Sequence, residues 1–352
     1  MASTEREKAG HRLGIHRVLE GGSVLPQSAT RLDNALPIYS NEVLISVKRL
    51  NIDAASFVQM ESDFGGDPKA ISDQIAKNCQ QQGKQQNPVT GSGGMLLGEV
   101  VQVGSTYNGV FGARVGQHVA TLVSLTCTPL RLDRILSIDL KTHQVDVEGY
   151  AILFESGIAA EMPKDLPETV SLAVLDVAGA PAWCRALAEP NQTVVVFGAG
   201  GKAGLLCCVA ARDQVGKNGK VIGIEPNASA AERLQSLNVC DAVLEVDAGD
   251  NLSVLSRLEA ATHGKMGDVV INVVSAPNTE ISSILAARPD GKVVFFGMAT
   301  GFSKAALGAE SVGSSVQMII GNGYYPGHAD YALNLLRKHS NLKKLFCERY
   351  QA

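Results

Sequence analysis

The sequence predicts an α/β protein: a doubly wound parallel sheet in the second half of the chain, preceded by a β-rich unit shaped as a small, partly open barrel. Three observations predict it. Val194-Val195-Val196-Phe197 reads as a short buried strand and runs straight into a glycine turn and an apolar helix. From there strands and helices alternate. Strands fall at 194–197, 220–224, 242–246, 268–274, 291–296 and 316–320, and helices at 202–213, 228–237, 250–261 and 278–287. Ahead of them, 98–104 and 115–122 are strands separated by turns.

In chain order, residues 1–15 are polar and charged and read as a mobile arm or a lid. Residues 42–50 alternate as a strand, and 51–57 form a loop entering a short helix. Residues 67–83 are a polar helix opened by Asp67-Pro68. Residues 84–94 form a loop rich in glycine and polar side chains, the kind that carries function. Residues 168–188 are a linking helix, and 330–338 an amphipathic helix that returns the chain to the first domain. The expected domains are 1–164 with 324–352, and 165–323.

The glycine turn is Gly198-Ala199-Gly200-Gly201-Lys202-Ala203-Gly204. It reads either as G-x-G-x-x-A-G or, through Gly198, Gly201 and Gly204, as G-x-x-G-x-x-G. Strand, glycine turn and helix in this order bind a dinucleotide pyrophosphate, because glycine lets the backbone approach and the helix N-terminus offers N–H groups. Gly198, Gly200, Gly201, Lys202 and Ala203 are the expected contacts. Glu225 ends the next strand, about twenty residues on, where an acid hydrogen-bonds the adenosine ribose and repels a 2′-phosphate. NAD is therefore expected, with NADP the alternative. Val274, Ser275, Gly297 and Met298 end two later strands and should touch the nicotinamide half.

The 352 residues carry 31 Lys and Arg against 35 Asp and Glu, a net charge of −4 without a basic block, which argues against nucleic acid and anionic membrane. No apolar run has the length of a membrane span, and the first eight residues do not read as a signal peptide, so a cytoplasmic enzyme is expected. The seven cysteines form no C-x-x-C pair and read as small core hydrophobes.

A β-barrel unit, a linking helix, a six-stranded nucleotide domain and a returning helix resemble the medium-chain dehydrogenase/reductase superfamily. Gly98-Glu99-Val100-Val101-Gln102-Val103-Gly104, then Val115-Gly116-Gln117-His118-Val119, is similar to its G-x-V-x-x-V-G … V-G-D-x-V signature. The resemblance implies a Rossmann domain and a GroES-like catalytic domain. Where zinc-dependent members hold their catalytic metal, this chain has Asp53, Gly93-Gly94-Met95 and Val177 or a neighbour. Glycine and valine side chains offer no ligand atom, so no metal site is expected. A closer resemblance runs through Asn51–Phe57, Lys84–Leu96 and His16–Glu20, spanning roughly residues 11–348. It is to the zinc-free 3,5-diaminohexanoate dehydrogenase family of bacterial lysine fermentation. It implies oxidative deamination at C3 of a small diamino acid substrate, giving 5-amino-3-oxohexanoate, ammonia and NADH. A homo-oligomer, dimer or tetramer, is expected.

That reaction needs a base for the amine and then for water. Asp53 is the first candidate for base or amine anchor; its alternative role is helix N-cap. Ser56 could hydrogen-bond the amine, or cap the same helix. Lys84 could pair with the substrate carboxylate, or be a solvated loop lysine. Thr90 and Ser92 could orient substrate, or satisfy turn backbone. Asp176, in an apolar run, is a second base candidate, and Glu155 a third. His118 reads as structural. Two rival readings are a zinc-free NADPH-dependent quinone or enone reductase, which Glu225 argues against, and a non-catalytic nucleotide sensor.

Overall fold

The structure, a computed structural model, describes residues 5–6, 8–20, 24–297 and 299–351. The chain forms two compact units, Met1–Asp176 and Val177–Ala352. In the first, the strands are β1 (Glu5–Arg6), β2 (Ile38–Tyr39), β3 (Val43–Asn51), β4 (Met95–Val103), β5 (His118–Thr121), β6 (Leu130–Asp139), β7 (Gln144–Leu153) and β8 (Ala159–Glu161). Between them lie α1 (Ala54–Asp63) and α2 (Pro68–Gln82), and α3 (Glu168–Leu175) follows. Six of the strands form an antiparallel sheet in the order β6-β7-β3-β4-β5-β8.

Alternation builds its core. Val43, Ile45 and Val47 point inward from β3 and meet Val100, Val145 and Val147, with Phe57 of α1 and Ile71 and Ile75 of α2 against them. Each such side chain contributes roughly 1.5–3 kcal/mol on burial. Asp67 caps α2 by accepting from the Lys69 N–H, and Gly83 ends it at φ 66°, where a Cβ would strike the Leu32 carbonyl.

The described part of 1–15 is an anchored segment rather than a mobile arm. β1 pairs with β2, Arg6 donates to the Pro37 carbonyl and the Tyr39 hydroxyl, and Gly10 N donates to Asn41 Oδ1 at 2.7 Å. Beside it Arg17 is fully buried and forms a two-point ion pair with buried Glu42, at 2.8 and 2.6 Å. Burial alone would raise the Glu42 pKa, but the Arg17 and His16 hydrogen bonds outweigh it and hold the carboxyl below its ordinary value.

The second unit comprises α4 (Gly179–Leu187), β9 (Thr193–Phe197), α5 (Lys202–Val215), β10 (Lys220–Ile224), α6 (Ala228–Ser236), β11 (Ala242–Leu244), α7 (Asn251–Thr262), β12 (Gly267–Asn272), α8 (Glu280–Leu285), β13 (Ala287–Phe295), α9 (Phe302–Ser311), β14 (Gln317–Ile320), α10 (His328–Lys338) and α11 (Ser340–Tyr350). Its sheet is parallel throughout, in the order β11-β10-β9-β12-β13-β14. The order reverses at β9 and β12, the switch point beside which doubly wound sheets bind ligands. Val195, Phe197, Ile222, Ile224, Val270, Val293 and Phe295 form the core.

Three expectations change. The helix expected over 168–188 is two helices, because Pro181 has no N–H and its ring collides with the carbonyl four residues back. Residues 324–352 belong to the second unit rather than the first, with α10 packed on α4 and α5. The β6–β7 hairpin and helices α9 and α11 are additional elements. Among the described residues, no single helix is long and apolar enough to cross a membrane.

Candidate functional site

The nucleotide part lies in the second unit, after β9. Gly198 sits at φ 73°, where a Cβ would come 3.2 Å from the Val274 side chain. A Cβ on Gly200 would lie 2.7 Å from that of Ala230 on α6, and one on Gly204 would lie 2.1 Å from the Gly198 carbonyl oxygen. Gly201, the N-cap of α5, would meet only that same oxygen, at 3.2 Å. Steric exclusion therefore falls on Gly198, Gly200 and Gly204, which decides for the G-x-G-x-x-A-G reading. Lys202 and Ala203 open α5, in the turn whose N–H groups lack intrahelical partners.

Glu225 is 8% exposed. Its Oε2 accepts from Gly200 N at 3.0 Å and its Oε1 from Asn227 N at 3.1 Å. The acid thus braces the glycine turn, and a carboxylate oxygen retains lone pairs for a further donor. Val274 and Gly297 meet at the strand ends, where a Cβ on Gly297 would strike the Val274 carbonyl at 2.2 Å. Ser275 is exposed beside them, and Met298 lies outside the described residues. Asn272, which sequence reasoning missed, is buried beneath this edge. It donates to Thr279 and Ser283, both at 2.8 Å, and accepts from Val274 N.

The substrate-side candidates lie in the first unit. Asp53 is the N-cap of α1, accepting from Ala55 N at 3.0 Å, and is half-buried. Three residues on, Ser56 is fully buried, and its Oγ lies 2.5 Å from both Thr90 Oγ1 and Ser92 Oγ. The last two are 3.2 Å apart, so three hydroxyls form one cluster. The loop reaches α1 because Gly93 and Gly94 need no side-chain room: a Cβ on Gly93 would meet the Gln85 carbonyl at 2.5 Å, and one on Gly94 the Asn51 carbonyl at 2.1 Å. Asp53, Ser56, Thr90 and Ser92 are thus brought to one helix turn and its facing loop. Asn87, a second residue missed in the sequence, holds that loop.

The remaining candidates sit elsewhere. Lys84 is fully buried, and its ammonium donates to the Pro26 and Gln27 carbonyls at 2.8 and 3.1 Å, so it ties down a neighbouring loop instead of meeting solvent or a substrate carboxylate. Burial lowers its pKa to about 8. Asp176 is the half-exposed C-cap of α3. Glu155 accepts from Asn41 at 3.1 Å and belongs to the anchored N-terminal segment. His118 is exposed on β5, 3.4 Å from Glu99. Among the described residues, no three His, Cys, Asp or Glu side chains come together to hold a metal ion.

Residues 16–163 match the family described as L-erythro-3,5-diaminohexanoate dehydrogenase N-terminal domain, and residues 203–331 match the one described as zinc-binding dehydrogenase. The latter's zinc has no fitting donor set here, since Gly94 has no side chain and Val177 only a hydrocarbon one. The L-erythro-3,5-diaminohexanoate dehydrogenase of Acetoanaerobium sticklandii is 46% identical over 341 residues, covering 97% of this chain and 99% of that protein. The enzyme of the same name from Fusobacterium nucleatum subsp. nucleatum is 47% identical over 343 residues, with the same coverage. Among solved structures, the fold is shared with the CurK enoyl reductase (TM-score 0.54, 18% identity, 86% of this chain and 81% of that one). It is shared also with the quinone oxidoreductase from Coxiella burnetii (TM-score 0.55, 16% identity, 85% and 80%). Fold, glycine turn and near end-to-end identity agree: this chain belongs to the L-erythro-3,5-diaminohexanoate dehydrogenase family, oxidoreductases of the medium-chain dehydrogenase/reductase superfamily that use a nicotinamide cofactor.

Proposed function

We propose that the chain catalyses the NAD-dependent oxidative deamination of L-erythro-3,5-diaminohexanoate to 5-amino-3-oxohexanoate and ammonia, a step of lysine fermentation. The observation that carries this reading is the 46–47% identity, over 97% of the chain, to two enzymes named for that substrate. The grouping of Asp53 with three hydroxyls supports it.

The C3 amine must be neutral before hydride leaves, so Asp53 takes its proton. Ser92 accepts from an amine N–H group, while Thr90 and buried Ser56, bonded to it, orient its hydroxyl. After oxidation the C3=N carbon takes up water. Asp53, having by then passed the amine's proton to solvent, removes a proton from that water and delivers it to the nitrogen. The C3–N bond breaks to release ammonia, and the remaining hydroxyl proton passes to Asp53 as C3=O forms. The nicotinamide, when bound, accepts the hydride from C3. Gly198, Gly200, Gly201, Lys202 and Ala203 would hold its pyrophosphate, Glu225 the adenosine ribose, and Val274, Ser275 and Gly297 the nicotinamide half. The buried, backbone-anchored carboxylate of Glu225 supports NAD over NADP, because a 2′-phosphate would meet a fixed negative charge. The exposed apolar side chains of Phe302 and Ile320, beside edge strand β14, support a homo-oligomer.

The test is reduction of NAD and of NADP by a panel of β-amino acids at alkaline pH. The diamino acid should reduce NAD fastest and release one ammonia per NADH. Preference for a mono-amino acid, or reduction without ammonia release, overturns the assignment.

A further inference from the structure

Asn87 spends its whole amide on holding the loop that carries Thr90 and Ser92. Its Oδ1 accepts from the backbone N–H groups of Val89 and Thr90, at 2.8 and 3.2 Å. Its Nδ2 donates to Gln59 Oε1 at 2.7 Å and to the Ser56 carbonyl at 3.4 Å, both on α1. Its backbone closes the loop at the other end: Asn87 N donates to the Ser92 carbonyl at 2.8 Å, and Gly91 N to the Asn87 carbonyl at 2.9 Å. The side chain is 1% exposed. One residue therefore binds both members of the hydroxyl cluster that come from the loop to the helix turn that supplies the third.

We propose that Asn87 is the positioning residue of the site, fixing where the hydroxyls of Ser56, Thr90 and Ser92 meet and so how the substrate amine is received; this rests on the reading of that cluster given above. The chemistry explains why position matters. A hydroxyl carries one O–H and two lone pairs. Three hydroxyls bonded in a ring consume each O–H and one lone pair apiece. Ser92 N donates to the second lone pair of Thr90 Oγ1 at 3.3 Å and Ser56 is fully buried, which leaves acceptor capacity at Ser92 Oγ and no O–H turned outward. The set then presents only acceptors, which suits an amine or a water molecule arriving with N–H or O–H groups. If Thr90 and Ser92 drift from Ser56, the ring opens and their O–H groups turn outward as donors, which oppose the same ligand. Asn87 touches none of the reacting atoms. It acts only through the loop.

The experiment compares the full-length wild type with Asn87→Ala, Asn87→Asp, Thr90→Val and the Asn87→Ala/Thr90→Val double variant. The measurements are KM and kcat for the diamino acid, the NADH dissociation constant by fluorescence, and Tm. Asn87→Ala should lower kcat/KM by roughly ten- to a hundredfold, the scale of a misplaced reacting group, with NADH binding unchanged. Asn87→Asp keeps both acceptor bonds but sets a buried carboxylate oxygen against the Ser56 carbonyl, so its kcat/KM should fall between those of wild type and Asn87→Ala. The double variant should lose little beyond Thr90→Val, since both changes disable one cluster. Additive losses overturn the proposal, as does wild-type kinetics for Asn87→Ala alongside an impaired Thr90→Val. Wild-type kinetics for Thr90→Val instead overturns the underlying reading of the cluster. Should Asn87→Ala fail to fold, Asn87→Asp decides: a kcat/KM loss smaller than that of Thr90→Val, with NADH binding unchanged, supports positioning, and a loss as large as that of Thr90→Val refutes it.

Discussion

The candidate regions of the two units are made from opposite materials. In the second unit, the turn after β9 is shaped by exclusion: Gly198 takes a positive φ that side chains disfavour, and Gly200 and Gly204 are where a Cβ would strike Ala230 or the Gly198 carbonyl. In the first unit, the loop facing α1 is shaped by attraction: Ser56, Thr90, Ser92 and Asn87 are there because each finds a hydrogen-bond partner. Exclusion permits one residue type and is unforgiving. Attraction permits several and can be tuned. On the proposed assignment, a cofactor shared by many enzymes would be met by backbone, and a substrate peculiar to one family by side chains.

The sharpest test of the tunable half is Asp53→Asn. Asparagine caps a helix as well as aspartate, so α1 should keep its stability, while a missing general base lowers turnover by about 10²-fold or more. NADH binding should not change. Near-wild-type turnover across the pH range would reduce Asp53 to a cap.

The unforgiving half is tested by Gly204→Ala. One methyl group against the Gly198 carbonyl should cost roughly 1–3 kcal/mol in urea unfolding and weaken NAD binding, with the substrate loop untouched. Unchanged stability would mean that the turn yields more easily than the close approach implies.

Glu225→Ala, combined with Asn227→Arg, should move the ratio of catalytic efficiencies toward NADP by about tenfold, the scale of one lost charged contact. An unchanged ratio would take Glu225 out of the adenosine pocket.

The smallest effect is expected at Lys84, which both sequence readings misplaced. Its pKa is lowered from 10.5 to about 8 by burial. Between those values the unfolded chain binds the proton and the folded one does not, so this residue's contribution to stability rises with pH through that window. Lys84→Met should remove the rise and leave the Pro26 and Gln27 carbonyls unpaired. The stability gap between wild type and variant should widen from pH 8 upward. A raised KM for substrate with unchanged stability would restore the carboxylate-binding role.

These halves were also unequally legible. The glycine turn, Glu225 and the parallel sheet could be read from residue type because backbone sterics and strand burial leave few alternatives. The β6–β7 hairpin could not, because register shifts at Leu132/Arg134 and Ile135/Ser137 break the two-residue alternation that marks a strand. α11 carried a usable signal in Leu342, Phe346 and Tyr350, buried at four-residue spacing. In the substrate loop, Asp53 and Ser56 were legible as polar groups at a helix start, but capping and catalysis ask for the same residues there. Lys84 misled because a lysine in a polar loop reads as solvated, and only tertiary structure reveals carbonyls turned toward it. Asn87 was invisible for the reverse reason: an asparagine before a proline reads as an ordinary turn residue.

The bond from Gly200 N to Glu225 has a consequence for how this family can diverge. On the proposed assignment, the side chain that discriminates between cofactors is also a strut of the turn that would grip either of them. A lineage drifting toward the phosphorylated cofactor cannot simply discard the acid, because the first step would slacken the grip before the new preference was gained. It must first find another acceptor for the Gly200 amide. Cofactor choice is therefore guarded by the architecture of the turn, and its history should show paired replacements at Glu225 and its neighbours rather than single ones.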